Sequence, residues 1–266
     1  MSIVACLKWV NHPNEPRDER FAGMSAADQS ALEFALRQGE ATGLPVVAIT
    51  VGPAGADRVL RDALACGATR ALRIDAPTTT EGHDVAAAIA YHAADAHWVW
   101  CGDYSLDRGA GSVPAFVAAH LDAQQALGVI HVDLGDRHAV ATRRLDGGRR
   151  EVLKVEAPAV VSVEGATARL RRASLPALRA AATAAIEVVS PATVVHTAEF
   201  LVRPYRPRAR ALAAPAGTDP LDRLRVLTDA AAASAARGET VHLDPAAAAA
   251  RIVKALRDWG YLGTTS

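Results

Sequence analysis

The stretch from Val46 to Ile74, VVAITVGPAGADRVLRDALACGATRALRI, constrains the fold more than any other part of the chain. An apolar run, too short to cross a membrane as a helix, stops at Gly52-Pro53. Val59, Leu60, Ala63, Leu64 and Ala65 then recur at helical spacing until Cys66-Gly67, and a second apolar run follows. Strand, turn, helix and strand make a βαβ unit, and such units build parallel sheets buried on both faces. In open sheets of this kind ligands sit beyond the carboxyl ends of the strands. The turn after Val51 lies there, with the following helix offering free N–H groups to an anion. The unit predicts a ligand crevice and supplies no catalyst of its own.

Strands are predicted at Ile3–Leu7, Val46–Val51, Ala71–Ile74, Trp98–Cys101, Ile130–Leu134, His138–Arg144, Glu151–Lys154 and Ala159–Val163. Helices are predicted at Ala26–Thr42, Ala56–Cys66, Asp84–Ala94 and Val113–Leu121. Their alternation up to about residue 125 is the doubly wound α/β pattern, with a mostly parallel sheet. At Asp146-Gly147-Gly148 the texture changes to a hairpin, because Asp-Gly and Gly-Gly permit the positive φ of tight turns. An antiparallel flap is therefore expected after the parallel core. Residues 1–190 read as one domain, which 266 residues with half of them hydrophobic can readily fill with a core. Residues 191–266 read as a C-terminal arm, bearing Arg203-Pro204-Tyr205-Arg206-Pro207-Arg208 and ending in an amphipathic helix, Asp244–Tyr261. That helix offers Ile252, Val253, Leu256, Trp259 and Tyr261 to one side, a stripe that needs its own domain or another chain to lie on.

Lys+Arg and Asp+Glu both number 29, so the formal charge is zero and nothing marks the chain as a nucleic-acid binder. Cys6, Cys66 and Cys101 are odd in number, far apart and set in apolar runs, which argues for reduced, buried thiols and a cytoplasmic setting. The start MSIVACLKWV runs straight into a strand pattern without a leader, so neither export nor membrane insertion is expected.

No G-x-S-x-G elbow, H-E-x-x-H pair, Walker loop or G-x-G-x-x-G turn occurs, so no catalytic residue is assigned. His92 and His97 are not spaced as a helical ligand pair, and no metal site is expected. The segment Gly102-Asp103-Tyr104-Ser105-Leu106-Asp107-Arg108-Gly109-Ala110-Gly111-Ser112 follows a strand and opens a helix at Val113-Pro114. Its glycines let backbone N–H groups approach an anion, and Arg108 and Ser112 add donors. A plain strand-to-helix turn would look similar. Arg171-Arg172-Ala173-Ser174-Leu175-Pro176-Ala177-Leu178 reads as a basic, apolar-tipped loop. Leu175, beside a stiffening proline, is placed either to anchor a partner or to tuck under the flap with Leu178, and the two arginines read as solvated charge.

Taken in order, LKWV at Leu7–Val10, MSAADQSALEFALR at Met24–Arg37, VGPAGADRVLRDALACGATRA at Val51–Ala71, LDGG at Leu145–Gly148, APAVVSVE at Ala157–Glu164 and RASLPAL at Arg172–Leu178 resemble the electron-transfer flavoprotein beta subunit. The likeness spans about residues 1–190 and implies an adenine nucleotide alpha hydrolase-like fold. It implies a heterodimer with an alpha subunit that holds most of a redox-active FAD, this chain covering the flavin from one side. The beta-subunit crevice of that family holds AMP, or a second FAD in the electron-bifurcating branch. An Ala-x-Leu-Pro loop docks dehydrogenases.

Carried over by position, the resemblance makes Leu175, between Ser174 and Pro176, the docking anchor. It sets Cys6, Lys8, Ser25, Asp28, Gly52, Asp107, Arg108, Gly109, Ala110, Gly111 and Ser112 around the nucleotide. Departures mark a divergent branch, of actinobacterial type. Met24-Ser25-Ala26-Ala27-Asp28 stands where the family has Met-Asn-Pro-Phe-Asp, and the phosphate loop is shorter, ending Arg108-Gly109-Ala110-Gly111. Arg144 replaces a glutamate, and Arg179-Ala180-Ala181-Ala182 replaces a lysine-rich stretch. The alternative expectation is a stand-alone adenine-nucleotide sensor of the stress type, acting through Gly102–Ser112 and giving Leu175 no role.

Overall fold

The computed structural model describes residues 1–10, 21–135, 138–191, 215, 218–228 and 241–261. The Arg203–Arg208 stretch lies outside them. The chain divides into two compact units, Met1–Glu199 and Phe200–Ser266.

In the first unit the strands are β1 (Ser2–Cys6), β2 (Val46–Gly52), β3 (Arg70–Asp75), β4 (Ala96–Gly102), β5 (Gln124–Leu134), β6 (His138–Arg144), β7 (Arg150–Glu156), β8 (Ala159–Val163) and β9 (Glu187–Val189). The helices are α1 (Ala26–Thr42), α2 (Asp57–Cys66), α3 (Gly82–His92), α4 (Val113–Leu121) and α5 (Leu175–Thr183). One sheet takes the order β7-β6-β5-β8-β4-β1-β2-β3-β9. All neighbouring pairs run parallel except β5–β6 and β6–β7, which form the predicted antiparallel flap. The fold is α/β with a mostly parallel, doubly wound sheet. The chain moves outward from β1 through β2 to β3, then returns to the other side of β1 as β4, which makes the β1/β4 boundary the topological switch point.

Two apolar layers sandwich the sheet. On one face Ile3, Ala5, Ala48 and Trp100 pack with Leu32, Ala35, Val59 and Leu60 of α1 and α2. On the other Val4, Cys6, Ile49 and Val99 pack with Ala86, Ile89 and Val117 of α3 and α4. The alternation of partners along β1 is the period of 2 expected of a strand covered twice.

Helix α1 begins where the Ser25 side chain accepts a bond from the Asp28 N–H and ends at Gly43, whose φ is 70°. Its small residues let it lie close: a Cβ on Gly39 would come within 2.5 Å of Val46. Beneath it Trp100 stacks on Phe34 at 5.1 Å and donates its Nε1–H to Gln38 Oε1 at 2.8 Å. Burying that indole contributes about 5 kcal/mol by area, and the bond removes the cost of a buried donor.

Several boundaries differ from expectation. Strand β5 starts at Gln124 rather than Ile130; Gly128, at φ 65°, bends it where the register with β8 shifts, and that break hid the first half of the strand. The segment expected as a loop at Ser174–Leu178 is the start of α5, with Ser174 as N-cap accepting from the Ala177 N–H and Pro176 in the first turn. Arg171 is not solvated charge. It donates to Glu33, whose side chain is 5% exposed, and to Glu40, tying the chain after β8 to α1. Strand β9 adds an unpredicted edge beside β3.

The second unit contains α6 (Pro220–Leu227), which was not expected, and α7 (Pro245–Asp258), which starts on an Asp244 cap within the expected Asp244–Tyr261 helix. Ile252, Trp259 and Tyr261 are exposed. Among the described residues no helix is long and apolar enough to cross a membrane.

Candidate functional site

A crevice of about 260 Å³ opens at the carboxyl ends of β1, β2 and β4, at the switch point. Its floor is Cys6, Leu7, Gly52, Cys101 and Gly102; its walls are the turn after β2, the loop Pro77–Glu81 and the loop Asp103–Ser112.

Of the residues predicted to border a ligand, Cys6, Lys8, Asp28, Gly52, Asp107, Arg108, Ala110, Gly111 and Ser112 line this crevice. Ser25 and Gly109 do not: Ser25 is the buried cap of α1, and Gly109 closes a turn onto the Ser105 carbonyl at φ 63°. Trp9 and Asp103 line it as well and were not singled out. Asp103 belongs to the segment already read as ligand-binding, so its position beside the strand end was the available signal.

Backbone geometry centres on two glycines. A Cβ on Gly102 would stand 2.5 Å from Asp28 Oδ1, and one on Gly111, already at φ 60°, would stand 2.6 Å from the Asp103 carbonyl. Only glycine lets these segments close on each other. Helices α3 and α4 both begin on the crevice without a side-chain cap, at Glu81 and Ser112. The two starts adjoin, since a Cβ on Gly82 would meet Ser112 Oγ at 3.5 Å. Two helix N-termini without side-chain caps bring partial positive charge to one spot.

The charged side chains are mostly engaged. Lys8 Nζ donates to Asp107 Oδ1 at 2.7 Å and to Ser105 Oγ at 3.3 Å. Burial raises the Asp107 carboxyl, but the bonds from Lys8 and Ser105 prevail and hold it below its usual range. Arg108, expected to add donors for an anion, donates instead to the carbonyls of Thr80 at 2.9 Å and Thr78 at 3.3 Å, clasping the opposite wall, with Glu81 3.7 Å away.

Asp28 is buried and its Oδ2 accepts the Lys8 backbone N–H at 3.0 Å. Burial raises its pKa to about 7, because bonds from Lys8, Ser25 and Gly102 and the Lys8 charge only partly offset the lost hydration. Beside it the Cys101 thiol, in register with Cys6, is pushed well up by its sulfur contact with Cys6, by burial and by Asp28. Such a thiol is inert as a nucleophile. Burial, then the charge of Glu164, raises Asp103. Asp103 Oδ1 and Trp9 Nε1 are buried without a partner.

The arrangement can hold a ligand with an anionic end at the two helix starts and hydrogen-bonding groups toward Asp103 and Trp9. Among the described residues no group of three or more His, Cys, Asp or Glu is placed to hold a metal ion.

Away from the crevice, Leu175 and Leu178 stand 61% and 46% exposed on the first turn of α5, so neither tucks under the flap. Arg144, at the end of the flap strand β6, lies 3.5 Å from Glu164.

Comparison with known proteins places this geometry. Residues 18–194 match the family described as "Electron transfer flavoprotein domain". The chain is 34% identical over 177 residues to the electron transfer flavoprotein subunit beta of Methylophilus methylotrophus, covering 63% of this chain and 66% of that one. It is 30% identical to Protein FixA of Rhizobium meliloti over 70% of this chain and 72% of that protein. It is 30% identical to the Sus scrofa electron transfer flavoprotein subunit beta over 54% and 58%. The match to the subunit from Methylophilus methylotrophus spans just under two thirds of that relative's length. With its family match extending from ahead of α1 past β9, this chain belongs to the electron transfer flavoprotein domain family.

Proposed function

We propose that this chain is the beta-type half of a two-subunit electron carrier, covering from one side an FAD held mostly by an alpha-type partner and docking a dehydrogenase. Bound FAD supplies the redox couple. The chain's own residues do no bond-making chemistry; they position, cover and dock. Arg144, exposed on the flap beside Glu164, stands where the resemblance expects a glutamate that helps orient the flavin partner, and reverses the charge there. The crevice takes one adenine mononucleotide of the AMP type. Its volume of about 260 Å³ lies at the small end for ligand pockets, which favours a mononucleotide over a second FAD. The uncapped starts of α3 and α4, with Ala110, Gly111 and Ser112, receive the phosphate, while Trp9 has an N–H left to give. Lys8 and Arg108 act chiefly through Asp107 and the Pro77–Glu81 wall, holding the crevice in shape. Residues 191–266 form the arm that lies on the partner, with the exposed Ile252, Trp259 and Tyr261 of the α7 end as its apolar side. Free Cys6, Cys66 and Cys101 suit work in a reducing cytoplasm.

The observation that carries the reading is Leu175. A large apolar side chain, 61% exposed, is held at the first position of a helix whose start is fixed by the Ser174 cap and Pro176. A fixed, exposed apolar residue has little cost of ordering when a partner covers it. The test is a Leu175→Ala variant of the co-expressed pair. It should keep its flavin and lose reduction by the dehydrogenase; unchanged reduction would refute the docking role.

A further inference from the structure

Two side chains of the crevice hold a buried polar atom without a partner, Trp9 and Asp103, and of these Asp103 is the acceptor. One oxygen, Oδ1, is buried without a hydrogen-bond partner, while the residue lines the ligand space at the end of β4. The backbone holds it in place: the Asp103 N–H donates to the Val163 carbonyl at 3.1 Å, and Gly111 packs so closely that any Cβ there would lie 2.6 Å from the Asp103 carbonyl. A buried oxygen on a residue whose backbone is fixed, left without a donor, calls for one from the ligand.

Neither nearby cation serves it. Lys8 is bonded to Asp107 and Ser105, and Arg108 to Thr78 and Thr80. The crevice contains Asp28, Glu81, Asp103 and Asp107 against Lys8 and Arg108, so an anion on Asp103 itself is repelled. The missing partner is a donor, and a nucleotide in the crevice offers one only as an uncharged O–H or N–H. The close approach of Gly111 to the Asp103 backbone carbonyl puts residue 103 beside the anion-binding turn. In a nucleotide the donors nearest the 5′-phosphate are the ribose hydroxyls, while the exocyclic amine lies beyond the sugar.

Resting on the nucleotide reading above, we propose that Asp103 is a specificity-determining residue that accepts a hydrogen bond from a ribose hydroxyl of the crevice nucleotide. Acidic residues at strand ends recognise ribose in the same way in dinucleotide-binding folds. A site built around such a bond loses affinity for the analogue lacking the hydroxyl, because the buried acceptor is again unpaired.

The test is calorimetric titration of the full-length chain, stripped of nucleotide, with AMP, 2′-deoxy-AMP and 3′-deoxy-AMP. Binding of AMP at least about tenfold tighter than one of the two deoxy forms is expected. Asp103→Ala should lose that preference, and Asp103→Asn, which keeps a carbonyl acceptor, should retain part of it. Equal affinity of the native chain for all three nucleotides would overturn the role of Asp103 while leaving the nucleotide reading intact. No binding of AMP at all would overturn both. A preference unchanged in Asp103→Ala would assign the hydroxyl to another residue and overturn the inference.

Discussion

Replacing Arg171 by alanine should destabilise the first unit, and the size of the effect follows from what Arg171 touches. Its guanidinium donates to both oxygens of Glu33, at 3.1 and 3.2 Å, and to Glu40. The Glu33 side chain is 5% exposed while that of Arg171 is 30% exposed, so Glu33 bears most of the loss. Breaking a fully buried pair costs about 3–5 kcal/mol. Here Glu33 keeps Arg37 at 2.8 Å and the backbone N–H of residue 171 at 3.0 Å, so the loss is about 2 kcal/mol. For a unit of this size that lowers Tm by about 4–8 °C.

The pH dependence gives a second handle. Burial alone would raise the Glu33 carboxyl, but bonds from Arg171 and Arg37 outweigh it and hold the group below its ordinary 4.5. A carboxyl depressed in the folded state stabilises above its unfolded pKa, and that contribution disappears as pH falls through the folded value. The difference between native chain and variant should be full at pH 7 and should shrink below about pH 4. Thermal unfolding followed by circular dichroism at the two pH values measures both. A Tm within about 1 °C of the native chain at pH 7 would refute the claim that this pair clasps α1 to the chain after β8.

Asp28 titrates in the opposite sense. With a folded pKa of about 7 against 3.8 for the free group, the folded state holds a proton that the unfolded state has shed, so stability should fall between about pH 4 and 7. Asp28→Asn should flatten that slope, and carboxyl NMR should place the Asp28 midpoint near 7; a midpoint near 4 would contradict the burial argument. Gly102→Ala forces a methyl against Asp28 and Ala27 and should cost about 1–3 kcal/mol and loosen nucleotide binding; a native-like Tm and affinity would show that the wall yields. Leu175→Ala should leave Tm unchanged within about 0.5 kcal/mol of stability, because the side chain is 61% exposed, while abolishing reduction by the dehydrogenase partner.

Much of the fold is legible along the chain because local signals agree with it. Helix α1 shows a Ser25 cap and a Gly43 stop, α2 stops at Gly67, and the β6–β7 turn contains Gly147 and Gly148 at φ 72° and 74°. What escapes is what depends on distant partners or short segments. Strand β9 is three residues long and exists only beside β3. Arg171 looks solvated until Glu33, 138 residues away, folds beneath it. The start of α5 was legible in principle, since Ser-Leu-Pro is a capped helix start, but proline beside a basic run suggests a loop. In the crevice the glycines and helix starts follow from local pattern. The engagement of Lys8 by Asp107, 99 residues on, and of Arg108 by Thr78 and Thr80 does not, which is why Arg108 looked free to bind phosphate.

The central claim is that this chain works as one half of a flavin-bearing pair with a nucleotide in its own crevice. Co-expressing it with its alpha-type partner, purifying what associates, and identifying the molecules released on denaturation tests that claim most directly. The account predicts a yellow complex releasing one FAD and one AMP per pair. A colourless, well-folded chain that binds no partner and releases no flavin would contradict it.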